Sequence, residues 1–193
     1  MGKSEKGAIW LDPRLTSPYA FYQFWFNMAD ADVSRFLRWF TLLDEPSIKE
    51  LDAQVGTGER VAQKALAQEI TTLVHGKQET DNAKKASAAL FSGDIASLEV
   101  SLLKQLASDV PSITLPRQEL ATGPLSVIDL LVRAGACASK SEARRQIAQK
   151  GVKLNGKPPA PGENPTVAAS DFLEGEVLVL QRGKKNNFLV IVS

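Results

Sequence analysis

The chain has 193 residues, 44% of them hydrophobic and 23% charged, an ordinary composition for a soluble globular protein with one large or two small domains. Its single cysteine, Cys137, excludes an internal disulfide, and no apolar run approaches the length needed to span a membrane. The net charge of +1 hides an asymmetry. Residues 1–115 carry 12 Lys/Arg against 15 Asp/Glu, whereas residues 116–193 carry 11 against 7. An acidic front and a basic back suggest two domains, with any polyanion contact on the second. The first residues lack an apolar signal core. With a lone cysteine expected to be packed rather than reactive, a cytoplasmic protein is expected.

Residues 1–16 are irregular, broken by Asp12-Pro13. Ser17-Pro18 is a helix start, a hydroxyl cap followed by a proline at the first helical position. The helix after it is dense in aromatics (Tyr19, Phe21, Tyr22, Phe24, Trp25, Phe26), whose helical spacing favours core packing over base stacking. Asp30 and Asp32 are placed to cap a helix over 33–43. A short helix follows Pro46. An amphipathic helix over 59–75 ends at Gly76, with His75 in a packing or capping role. An Ala-rich helix over 81–91 and another over 97–107 complete an all-helical domain over 17–110. Pro111, Pro116, Gly123 and Pro124 mark 111–124 as a linker.

The remainder, 125–193, mixes helices and strands. A first helix over 125–134 leads to the most informative segment, SKSEARRQIAQKGVKLNGK, from Ser139 to Lys157. Ser139 and Glu142 have capping-box spacing. Ala143 and Ile147 share one face, and Lys140 and Arg144 another, beside Arg145. Gly151 sits where a left-handed stop is wanted. Val152 and Leu154 alternate in a short strand, Lys153 projects from its other face, and Asn155-Gly156 signals a tight turn. Lys140, Arg144, Arg145, Lys150 and Lys153 face a single acid, Glu142. Solvated surface charge is the alternative reading, but the agreement of cap, stop, turn and charge placement favours a phosphate-binding surface. A Pro-rich loop, PPAPGENP, follows. Strands over 177–180 and 188–192 flank a hairpin loop, QRGKKNN, bearing Arg182, Lys184 and Lys185.

The run A-G-x-x-x-S-K-S-E-A-R-R-x-I followed by G-V-x-x-N-G resembles the S-four-like RNA-binding module. That module occurs in ribosomal proteins, pseudouridine synthases, a heat-shock ribosome factor and bacterial tyrosyl-tRNA synthetases. The front string AIWLDPRLTSPYAFYQFWFNMADADVSRFLRWFTLL, with EITTLVHG, resembles the helical anticodon-binding domain of bacterial-type tyrosyl-tRNA synthetases. The resemblance covers essentially the whole chain and implies an α+β protein, a helical anticodon-binding domain followed by the small α+β module. It also implies that Met1-Gly2-Lys3-Ser4 matches the end of the mobile K-M-S-K-S loop, with Gly for Ser. Lys3 would then be the loop lysine that stabilises charge on ATP phosphates, with Ser4 beside it in ATP binding, both acting only in a full-length enzyme.

The resemblance makes 1–16 the tail of a class I catalytic domain and the chain a C-terminal half whose partner is tyrosine tRNA. Such a half would be inactive alone. It would bind no cofactor itself; ATP with Mg would be a substrate of the full enzyme, a homodimer through the domain absent from this sequence. Neither a metal cluster nor a nucleophile triad stands out. RNA contacts fall to Lys140, Arg144, Arg145, Lys150, Lys153, Arg182, Lys184 and Lys185. Asp30 is the candidate for an anticodon base, since a carboxylate can accept hydrogen bonds from a guanine edge. The rival is a free-standing RNA-binding or ribosome-associated protein carrying the same module, which requires a front domain unrelated to synthetases.

Overall fold

The computed structural model describes residues 8–183 and 186–193, so the candidates Lys3, Ser4, Lys184 and Lys185 lie outside the described residues. The chain divides into two compact units, one ending at Ser87 and the other running from Ala88 to Ser193.

The first unit is helical. In α1 (Pro18–Phe26) the Ser17 hydroxyl accepts the Ala20 N–H at 3.0 Å, and the helix buries Phe21 and Tyr22, as its start signal and aromatic spacing anticipate. In α2 (Asp30–Phe40) the buried face is Val33 and Leu37. Its cap position is Ala29, without a side-chain bond, so neither expected aspartate is the cap. Both lie in the first turn, where negative charge suits the helix dipole. In α3 (Glu45–Asp52) the Asp44 carboxylate accepts the Ser47 N–H, and Arg38 of α2 reaches both Glu45 and Asp52.

The helix α4 (Val61–Ser92) is broken at Gly76, whose φ of 83° only glycine adopts freely. The expected stop at Gly76 is therefore a kink, and a second helical limb continues directly, with the Thr80 hydroxyl donating to the Gly76 carbonyl at 2.9 Å. Phe21, Val33, Leu37, Ile48, Ala62, Leu66 and Ile70 form the main core. The His75 ring meets the Phe21 ring edge-on, with centroids 4.8 Å apart, a packing role rather than a catalytic one.

The second unit is built on a four-stranded sheet in the order β1-β6-β5-β3: β1 (Ser112–Leu115), β3 (Val152–Leu154), β5 (Val177–Arg182) and β6 (Asn186–Val192). The β1–β6 pair is parallel; β6–β5 and β5–β3 are antiparallel. A small pair, β2 (Leu125–Ser126) with β4 (Thr166–Val167), is antiparallel. On one face of the sheet α7 (Val127–Arg133) and α8 (Lys140–Ala148) bury Ile128, Leu131 and Ala143 with Leu178, Leu180 and Val190. The alternate residues of β5, Val177, Val179 and Gln181, are buried too. The segment 88–110 covers that second face: α5 (Val100–Gln105) packs against β5, Lys104 pairs with Glu176 at 2.6 Å, and the Gln181 amide donates to the Gly93 carbonyl.

Three expectations change here. Residues 88–110, expected at the end of the helical domain, belong to the second unit because they supply its second apolar layer. The expected linker 111–124 contains β1 and the short helix α6 (Arg117–Ala121), with β1 hydrogen-bonded along β6. The hairpin loop is also shorter than expected, since Gln181 and Arg182 pair with Asn187 and Asn186 inside the sheet.

Leu103 on α5 is fully buried. Leu103→Ala should cost about 2–5 kcal/mol in the urea unfolding of the second unit, a loss an ordinary surface site in a domain-terminal helix would not show. Burial lowers the pKa of His75 below its ordinary value, outweighing the opposing effect of Glu79. The folded state then binds fewer protons than the unfolded one, so stability is full above the ordinary histidine pKa and falls as pH drops through and below it. Lowering pH from about 7.5 to about 5.5 should lower the thermal midpoint of the first unit, and His75→Gln should remove part of that fall.

Candidate RNA-binding surface

The basic segment folds as its residues dictate, with two local changes. At the start of α8 the Ser139 hydroxyl accepts the Glu142 N–H at 3.2 Å. The returning bond goes one residue further than the capping box implies: Glu142 Oε2 accepts the Ala138 N–H at 2.7 Å. The other carboxylate oxygen, Oε1, holds Arg182 Nη1 at 3.1 Å, and the same Nη1 donates to the Ala136 carbonyl. At the end of α8 the N–H groups of Lys150 and Gly151 return to the Ile147 and Gln146 carbonyls. This closes the six-to-one and five-to-two bonds of a Schellman stop. The left-handed residue is Lys150, with φ 56°, not Gly151. A Cβ at 151 would lie 2.7 Å from Gln146 Oε1, a contact that a turn of the glutamine side chain relieves.

The tight turn is as expected. Asn155 and Gly156 both have positive φ, 47° and 80°, and Leu154 and Lys157 exchange backbone bonds across it. The Asn155 side chain does more than turn the chain: its Oδ1 accepts the Val179 N–H and its Nδ2 donates to the Asp171 carbonyl, fixing the turn to β5.

This frame sorts the candidate cations. Ala143 is fully buried and Ile147 packs on the core, so Arg144 and Arg145 point outward, exposed. Lys150 and Lys153 are exposed beside them. Among the described residues none of these four has an ion pair. Lys140 is different, pairing with Asp129 at 2.8 Å. Arg182 is more so: half-buried in β5 rather than carried on a loop, it is engaged by Glu142 and the Ala136 carbonyl, a structural tie. The neighbouring Cys137 is buried, and desolvation raises its thiol pKa, so it remains a packed thiol.

In the first unit Asp30 stands at the rim of a pocket of about 410 Å³ lined with Asn27, Arg60 and Gln63. Gln63, buried on α4, donates its amide to Asp30 Oδ1 and so aims the carboxylate. Arg60, also left-handed at φ 56°, donates to the Met28 carbonyl and lies over the Phe26 ring. Asp32 instead pairs with Arg35 on its own helix. Arg60 and Gln63 escaped the sequence reading. A polar residue in an apolar-periodic helix carries no mark of what it touches, although the Gly-Thr-Gly-Glu-Arg run before α4 marks a special turn. Among the described residues no cluster of three metal-ligating side chains occurs.

Residues 1–92 match the model for class I tRNA synthetases (W and Y), and residues 102–190 match the model for the tyrosine–tRNA ligase SYY-like C-terminal domain. A tyrosine–tRNA ligase from Roseiflexus castenholzii is 46% identical over 193 residues, covering 98% of this chain and 45% of that protein. One from Anaeromyxobacter dehalogenans is 45% identical over 194 residues, covering 99% and 46%. The chain belongs to the tyrosine–tRNA ligase family. It spans less than half the length of these family members and corresponds to their C-terminal part. A solution structure of a tyrosyl-tRNA synthetase C-terminal domain shares 35% identity, covering 54% of this chain and all of that one, with a TM-score of 0.40. The rival reading needs a front half unrelated to synthetases; the match over residues 1–92 is to synthetases. The ligase family thus accounts for both the helical unit and the α+β unit.

Proposed function

We propose that this chain is the tRNA-gripping part of a tyrosine–tRNA ligase, working with a catalytic region that joins tyrosine to its tRNA at the expense of ATP. The observation that carries the reading is the quartet Arg144, Arg145, Lys150 and Lys153, exposed and, among the described residues, free of ion pairs, on a helix–stop–strand frame locked from beneath. Phosphate gripping needs charge held in a fixed place, and this surface supplies it. Lys140 adds to it after breaking an exposed pair with Asp129, a pair worth little in water. Lys184 and Lys185, which follow Arg182 closely in the sequence, are further candidate cations for the RNA.

Asp30 reads an anticodon base. The support is its aim: a carboxylate steadied by Gln63 at the rim of a pocket, with a donor-rich Arg60 on the same pocket wall, can pair with a base edge. Lys3 and Ser4 would serve ATP phosphates in the full enzyme, which would act as a homodimer in the cytoplasm.

Two measurements test this. Replacing Arg144 and Arg145 with Ala should leave the fold intact, because both are exposed. It should weaken binding to tyrosine tRNA and flatten the log–log salt slope by roughly 1–2, about one released counterion per lost phosphate contact. Unchanged affinity and slope would place the RNA surface elsewhere. Tyrosine-dependent exchange of pyrophosphate into ATP should be at background with the 193-residue chain, since the chain spans less than half of the ligases it matches. Exchange clearly above background would overturn the division of labour.

A further inference from the structure

We propose that the groove between α8 and the Pro-rich loop 158–164 is a pocket for one unpaired nucleotide of the bound RNA. The proposal rests on the reading of the basic surface as an RNA grip and adds what that surface selects: an extruded base, not only a line of phosphates.

The groove measures about 900 Å³, within the about 300–1,000 Å³ of small-ligand clefts. Its helix wall is Ile147 and Ala148, and its loop wall holds Pro158, Pro159, Ala160 and Pro161. Apolar atoms so close to the cationic surface are of no use to a phosphate. They suit the flat, poorly hydrated face of a base. Proline also makes the wall stiff, so little ordering entropy is lost when it is covered.

Arg144 and Lys150 stand at the ends of the helix wall. The Arg144 guanidinium offers both a plane for stacking and a charge for the flanking phosphate. Lys150 is held at the groove by its left-handed helix-stop position, an uncommon one for lysine. The Asn164 and Glu163 side chains supply a donor and acceptors to a base edge. The balance of two free cations to one carboxylate favours a polyanion over an acidic or neutral peptide. Double-stranded RNA buries its base faces in the stack, so only an unpaired nucleotide presents one.

The test compares two RNAs, a fully paired 20-base-pair hairpin and the same hairpin with one bulged nucleotide, binding to the 193-residue chain. Stacking a base on a protein surface contributes about 1–3 kcal/mol, so the bulged RNA should bind roughly 10-fold tighter. Ala148→Leu fills the groove from an exposed helix position and leaves every cation in place. It should abolish the preference while keeping affinity for the paired hairpin. Ala160→Leu fills the groove from the loop wall and should do the same, which guards against a folding defect in either variant. Equal binding of both RNAs by the unaltered chain overturns the groove assignment and leaves the basic surface standing. A preference that survives both filled variants also overturns it. Failure to bind either RNA overturns the underlying reading of the basic surface.

Discussion

The carboxylate of Glu142 is the tie on which the basic surface depends. One oxygen closes the start of α8 through the Ala138 N–H, and the other holds Arg182 of β5. Each bond to a charged group contributes about 1.5–3 kcal/mol where water is partly excluded. Helix and sheet are thereby fixed to each other at the point where the cations emerge. The only acid within the basic run is consumed in this tie, together with one arginine. The charge that remains outward, on Arg144, Arg145, Lys150 and Lys153, is therefore unopposed. The phosphate grip we propose needs a rigid base, and Glu142 supplies it by satisfying two partners below that surface.

Much of this was legible in the chain. The cap at Ser139, the burial of Ala143 and Ile147 and the Asn155-Gly156 turn follow from short-range rules, and all three appear in the fold. The details that failed each depend on a longer-range contact. Arg182 looked like a loop cation because strand length cannot be read from four apolar residues; its pairing with Asn186 and its hold by Glu142 come from elsewhere in the fold. Gly151 looked like a left-handed residue, but the bonds from Lys150 and Gly151 back to Ile147 and Gln146 put that conformation one position earlier, at Lys150.

The domain boundary was misplaced for a related reason. Proline and glycine over 111–124 suggested a break, while the signal that mattered was the unbroken apolar run of β5. A strand buried on both faces must have a layer on each side. With α7 and α8 on one, the segment 88–110 forms the other. At Asp30 the sequence supplied the carboxylate, but not Gln63, which bonds it from α4, nor Arg60, which lines the same pocket from just before that helix.

The strand order has a consequence for how such a chain is made. In the sheet β6 lies between β1 and β5, yet it follows both in the sequence. During synthesis β1 leaves the ribosome with its parallel edge unmatched, and it stays so until β6 has also emerged. The parallel pair closes the longest loop between any two strands of the sheet, which makes its formation late and slow. Until then the apolar β5 is covered only in part, and a nascent chain in that state is open to association with its neighbours. The segment 88–110, which precedes all of these strands, is already in place to shield one face of β5 as soon as that strand appears.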